Sequence, residues 1–202
     1  MSEILLTVGA LAAVGQVGAT LRVALSEDPG PWPPTEFGGQ FGLYWLAVMG
    51  IAGSFFALLA TTRGSLYAVT PATVAVGGLI GVGGAAVNVW TADTFDDPEE
   101  ILGLQLSFHT EGPFRLSRNP SVLGHAGAVG GFAVLAGSWQ ALLLAVGIVG
   151  WFALKPFAEE PALRRAYGSQ YRHYRARVAR YVDVDRLRDG VSGCVFSRRA
   201  DC

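Results

Sequence analysis

Charge is what this sequence has least of. Asp, Glu, Lys and Arg make up only 15% of the 202 residues, where a soluble domain carries roughly 25%. That is too few to dress a globular surface, and an ordinary soluble enzyme is excluded. Cysteine is as scarce. Cys194 and Cys202 both sit in the polar C-terminal stretch, so a disulfide scaffold is excluded and the pair reads as free thiols in a mobile tail. Three scattered histidines and two tail cysteines offer no ligand spacing, so no metal site is expected. A soluble dinucleotide fingerprint is missing too. The glycine runs Gly77-Gly78 and Gly81–Gly84 lie inside an apolar block, where they are packing surface rather than a phosphate cradle. With a net charge of −1, no nucleic-acid partner is expected.

What is present is apolar and comes in blocks. Hydrophobic residues are 51% of the chain, and mean hydropathy is +0.38. A helix needs about 20 apolar residues to cross a bilayer, and five blocks approach or exceed that: 4–25, 41–60, 66–90, 121–137 and 139–157. The first has no basic leader and is read as a mature helix. Pro29, Pro31, Pro33 and Pro34 break the connection that follows it. Pro71 is expected to kink the start of the third helix. The last two blocks are separated by almost nothing, which forces an antiparallel hairpin. Gly77 with Gly81, and Gly127 with Gly131, sit at helical spacing and suit close helix packing in lipid.

The expected fold is an all-α membrane protein. It has five transmembrane helices, a C-terminal helical hairpin and a cytoplasmic interfacial helix. Residues 1–92 form a three-helix scaffold, 93–182 a catalytic region and 183–202 a polar tail. Ten of the fifteen basic residues lie between Arg164 and Arg199, which places the C-terminus in the cytoplasm by the positive-inside rule.

A hairpin returns both ends to one membrane face, so the segments before Ser121 and after Phe157 must meet there. Upstream, Asn119 and Pro120 read as the cap and first residue of the fourth helix. Arg115 and Arg118 read as interfacial anchors. Downstream, Glu159 and Glu160 follow an apolar span directly, where an unpaired carboxylate is costly. They are either a solvated helix end, with Lys155 nearby, or a binding site for a cationic or hydroxyl-rich group. Leu163, Tyr167, Tyr171, Tyr174, Val178 and Tyr181 then recur at steps of three and four among arginines. That pattern suits a helix lying on an anionic membrane face, with room for a second role as a lid. His125, inside the fourth helix, is either a packed core histidine or a functional group.

Together these two segments resemble the signature of the isoprenylcysteine carboxyl methyltransferase and phospholipid methyltransferase superfamily. The resemblance rests on Gly112-Pro113-Phe114, on Arg118-Asn119-Pro120-Ser121-Val122-Leu123-Gly124 and on Glu159-Glu160-Pro161-Ala162-Leu163. Tyr167-Gly168, Tyr171, Tyr174 and Val178-Ala179-Arg180 complete it. It covers residues 104 to 182, and the first three helices match only in being apolar.

The resemblance implies an S-adenosylmethionine-dependent methyltransferase whose pocket opens at the cytoplasmic face. Leu106, Ser107, Phe108 and His109 would line the adenosine. Phe114 stands where the family's turn tyrosine meets the cofactor. Asn119, Pro120, Ser121 and Val122 replace the family's His-Pro-x-Tyr segment, with Asn119 for His and Val122 for Tyr as departures. Glu159 matches the cofactor-binding glutamate, Glu160 supports it, and Lys155 falls where the carboxyl methyltransferases carry an Arg near the substrate. Lys155, His125 and Arg180 are the catalytic candidates. The implied partners are membrane lipids and a lipid-like or prenylated acceptor entering from the bilayer. A sterol-reductase-like oxidoreductase using NADPH and a non-catalytic membrane protein of the same fold stay open. Oligomeric state is not legible.

Overall fold

The structure, a computed structural model, describes residues 1–26, 37–102, 104 and 106–182. The proline-rich connection and the tail with both cysteines lie outside the described residues. Those described are helical: α1 (Ser2–Leu25), α2 (Gly39–Thr61), α3 (Pro71–Ala92), the short α4 (Pro98–Ile101), a 3-10 turn (Gly112–Arg115), α5 (Pro120–Ala136) and α6 (Trp139–Arg177). Four of these, α1, α2, α3 and α6, are long and apolar enough to cross a membrane, while α5 is apolar but only 17 residues long. The protein is an all-α, multi-pass membrane protein. Of the five expected spans, length and composition support four.

Two helix boundaries differ from expectation, and proline explains the first. The third helix starts at Pro71 and not at Leu66. Proline has no N–H to lose at a first helical position, and it disfavours helical geometry in the residue before it. Thr70 therefore caps: its Oγ1 accepts from Thr73 N at 3.2 Å, while Thr73 Oγ1 accepts from Thr70 N at 2.9 Å. The expected kink becomes a clean start. The second difference is that the fifth span and the tyrosine-rich segment form one run, α6, which passes through Pro156 and Pro161. It breaks only at Gly168, whose φ of 49° and ψ of −115° are non-helical.

Small residues set the packing, as lipid tails offer no hydrophobic drive between helices. Helix α3 lies antiparallel on α5, with Gly77 against Gly131 and Leu135, and Gly84 against Gly124 and Ala128. A Cβ on Gly77 would lie 2.7 Å from Gly131 O. Helix α1 packs on α2 and α6 through Gly9 and Ala13. Two polar bonds pin that contact: Gln16 Nε2 donates to Tyr44 O at 3.0 Å, and Trp151 Nε1 donates to Thr20 Oγ1 at 3.2 Å.

The α5–α6 hairpin turns at Gly137, whose φ of 59° favours glycine, and Ser138 caps α6 by accepting from Ala141 N at 3.1 Å. The segment before α3 locks this turn. Gly64 N donates to Ala136 O and Leu66 N to Gly137 O, both at 2.8 Å. The hairpin's other end is thereby held for its polar partners.

Candidate functional site

At the polar end of the hairpin the dominant group is a carboxylate. The Glu160 side chain is only 3% exposed, and a bare charge there would be prohibitive. It is met by Arg118 Nη1 at 2.8 Å, by Arg180 Nε and Nη2 both at 2.9 Å, and by Arg164 at 3.5 Å. Arg118 comes from the loop before α5, and Arg180 from the strand of chain after α6. One carboxylate thus ties together the two segments flanking the hairpin. Those bonds also hold the Arg180 guanidinium above its usual pKa. Its face stacks on Phe157, 4.1 Å from the ring centre.

The backbone repeats the tie. Arg118 N donates to Ala179 O at 2.9 Å, and Ser117 Oγ donates to Arg180 O at 3.2 Å. Asn119 joins in through its side chain, Nδ2 donating to Arg180 O at 3.0 Å. The expected side-chain cap of α5 is therefore not made, although Pro120 is its first residue.

The tyrosines of α6, and Tyr181 just beyond it, face inward. Tyr167 OH donates to Leu106 O at 3.1 Å, Tyr174 OH to Phe114 O at 2.7 Å and Tyr181 OH to Ala153 O at 2.6 Å. Tyr171 is fully buried, and Phe108 sits between the rings of Tyr167, Tyr171 and Tyr174, 5.1 to 5.6 Å from each. Arg164, Arg165, Arg172, Arg175 and Arg177 are exposed on the outer side. This stretch covers the loop, as a lid would, with its aromatic face spent on protein.

Beneath the lid lies a narrow cleft of about 40 Å³. Of the eleven residues expected to bind a cofactor, seven line it: Ser107, Phe108, His109, Phe114, Asn119, Glu159 and Glu160. The other four do not. Leu106 offers its carbonyl to Tyr167, Pro120 and Val122 are buried in the first turn of α5, and the Ser121 carbonyl accepts from His125 Nδ1 at 2.7 Å. Phe108 and Tyr174 are shared with an outer groove of about 570 Å³.

The two glutamates have different surroundings. Glu159 keeps 26% of its side chain exposed, and its ion pair is with Lys155 at 3.5 Å. Lys155 also lies 5.6 Å above the Phe152 ring, which stacks on His125 at 3.8 Å. Neither Lys155 nor His125 lines the cleft, and Arg180 is committed to Glu160.

Sequence reasoning missed three kinds of contributor. Arg118, read as an interfacial anchor, lines the cleft. Tyr171 and Tyr174, read as membrane-facing, form its roof. Glu100 backs His109: its Oε2 lies 2.7 Å from His109 Nε2, with the carboxylate 5% exposed. Phe95 and Phe114 flank the same imidazole. Nothing in the sequence singled out Glu100 among Asp93, Asp96, Asp97 and Glu99, since only the fold of the connection selects one of five.

Residues 72–170 match the family model of phospholipid methyltransferase. Over this stretch the chain is similar to that family. It is a family of membrane methyltransferases, within the superfamily that also holds the isoprenylcysteine carboxyl methyltransferases. The match starts at α3, so the third helix is part of the family region and not merely an apolar neighbour of it. No curated protein and no solved structure matches the chain.

Proposed function

We propose that this protein is a member of the phospholipid methyltransferase family and transfers a methyl group from S-adenosylmethionine to a lipid-like or prenylated acceptor. The reaction would take place in the cleft under the α6 lid, at the cytoplasmic membrane face. The observation that carries the reading is the pairing of a partly exposed carboxylate, Glu159, with an aromatic-walled cleft built mainly from the family region.

The residues fit the donor chemically. Phe108, Phe114 and Tyr174 offer ring faces to a purine. Glu159 would accept from ribose hydroxyls or the ammonium, and Arg118 on the cleft wall would attract the carboxylate. The inner cleft of about 40 Å³ is too small for the whole molecule, so binding requires the α6 lid to swing outward at Gly168. When bound, the cofactor supplies an electrophilic methyl on a sulfonium, so alignment is most of what the protein must contribute.

An acceptor that has to lose a proton would meet His109. With Nε2–H donating to the Glu100 carboxylate, Nδ1 is the basic atom of the ring, and Glu100 steadies the charge that forms. The exposed arginines following the hairpin favour the cytoplasmic assignment.

Calorimetry on the detergent-purified protein tests the reading. S-adenosylmethionine is expected to bind, and Glu159→Ala to abolish the heat. Binding of NADPH with no response to S-adenosylmethionine would replace the methyltransferase by a reductase. Methyl-labelled cofactor incubated with membrane extracts then identifies the acceptor, by label in extractable lipid or in a base-labile ester.

A further inference from the structure

The outer groove has a lining of one electrostatic sign. Arg115, at the end of the 3-10 turn, faces His173 and Arg177 across it, with Thr110 and Gln170 beside them and no carboxylate in the lining. Arg115 is exposed and makes no ion pair among the described residues. His173 Nδ1–H donates to Ser169 O at 2.8 Å, so Nε2 carries the lone pair and meets a phosphate as a donor when the ring takes up a proton with it. The groove is about 570 Å³, and its other wall is the apolar surface of Phe108, Tyr174 and Val178.

Two features of this placement matter. The cationic groups come from two separate elements, the turn before α5 and the part of α6 beyond the Gly168 break. And the groove lies at the polar end of a membrane hairpin, where lipid head groups are. Arginine forks from two directions, with a hydroxyl and an amide, suit an anion with several oxygens. An adjoining apolar wall suits one attached to a carbon skeleton.

We propose that the groove binds the phosphate of an anionic phospholipid that is not the methyl acceptor. Held between Arg115 and His173, that phosphate bridges the 3-10 turn to the lid and restrains the segment after Gly168. The purpose of the restraint rests on reading the adjoining cleft as the reaction site, whereas the binding itself does not. An unliganded lid is held to the turn by the Tyr174–Phe114 bond and the apolar packing around Phe108. A bridging phosphate adds a second, charged link that depends on membrane composition.

The test uses the full chain in neutral detergent. The probes are short-chain dihexanoyl phosphatidic acid and inorganic phosphate, followed by calorimetry and by hydrogen exchange of residues 169–177. The phosphatidic acid is expected to bind, to slow exchange in that segment and to stay unmethylated. Arg115→Gln should weaken it about tenfold, the loss of one charge-assisted hydrogen bond, and His173→Gln should weaken it further in the double variant. Arg172→Gln, on the exposed side of the same helix and outside the groove, should stay within about twofold, as screened surface charge does. Equal weakening by Arg172→Gln would mean diffuse attraction and overturn the site. So would failure of both probes, or methylation of the phosphatidic acid. Inorganic phosphate binding as tightly as the lipid would overturn the lipid assignment. S-adenosylmethionine is titrated into the same preparation. If it fails to bind while phosphatidic acid binds, the methyltransferase reading falls and the phosphate site stands.

Discussion

Neighbouring glutamates in one helix turn are expected to fail in opposite ways. Glu160 sits in a shell of guanidinium groups with 3% of its side chain exposed, while Glu159 keeps 26% exposed and pairs, among the described residues, with Lys155 at 3.5 Å. Glu160→Gln keeps the volume but removes the charge, and turns one oxygen into a donor aimed at Arg118 or Arg180. Charge-assisted bonds contribute about 1.5–3 kcal/mol each, and removing one partner of a buried pair costs about 3–5 kcal/mol. Arg180 and Arg164 are partly exposed and regain water on opening, while Arg118, at 9%, does not. The low end, about 3 kcal/mol, therefore applies, which is about a hundredfold in the local opening equilibrium. The amide of Arg118, bonded to Ala179 O, reports it directly by hydrogen exchange. Glu159→Gln, breaking one partly solvated pair, should change that amide by less than about fivefold, consistent with at most ~1 kcal/mol, yet it should weaken S-adenosylmethionine binding. If Glu160→Gln leaves the Arg118 amide within a few-fold of wild type, the carboxylate is not what joins the two segments. If Glu159→Gln opens the site as far, the division of labour between the two is wrong.

Two glycines test the scaffold and the lid. Gly84→Ala should disrupt α3–α5 packing, since its Cβ would collide with Ala128 N and lie 2.6 Å from Gly124 O, both rigid backbone. A loss of about 1–3 kcal/mol is expected in thermal unfolding, with Gly15→Ala, which meets nothing within 4 Å, as the neutral comparison. Gly168→Ala has open space around its Cβ but a φ of 49°, so only backbone strain is at stake, about 1–3 kcal/mol. Exchange of residues 169–177 should rise while α3–α5 stays protected, and an unchanged profile would show that Gly168 is no hinge.

The scaffold was legible because lipid constrains it so strongly. Apolar runs of the right length, the Gly77–Gly81 and Gly127–Gly131 spacings and a near-zero connection at Gly137 leave one arrangement for the last two helices. Boundary errors arose where one residue type has two uses. Pro71 kinks a helix interior but begins a helix readily, and the Thr70–Thr73 bonds decide between them. The site was legible only in part. Its outline followed from topology, since a hairpin must bring its flanks together, and seven expected residues do share a cleft. Which way each side chain faces did not follow. Tyrosines at steps of three and four fit a membrane-facing stripe or an inward one equally well, because periodicity fixes a face and not its partner. What turned them inward here is the loop 106–119, whose carbonyls at Leu106 and Phe114 accept from Tyr167 and Tyr174.

The same reasoning explains why Glu100 and Arg118 stayed hidden while Glu160 did not. A carboxylate directly after an apolar span announces a cost that something must offset, and the sequence position alone raises the question. Glu100 and Arg118 lie in a polar connection, where charge is ordinary and raises none. Their roles exist only because that connection folds back under α6, burying Glu100 against His109 and seating Arg118 on the cleft wall with its Nη1 on Glu160. Arg118 therefore serves two places at once, holding Glu160 through Nη1 and walling the cleft. The bond that latches the hairpin also fixes one wall of the cleft.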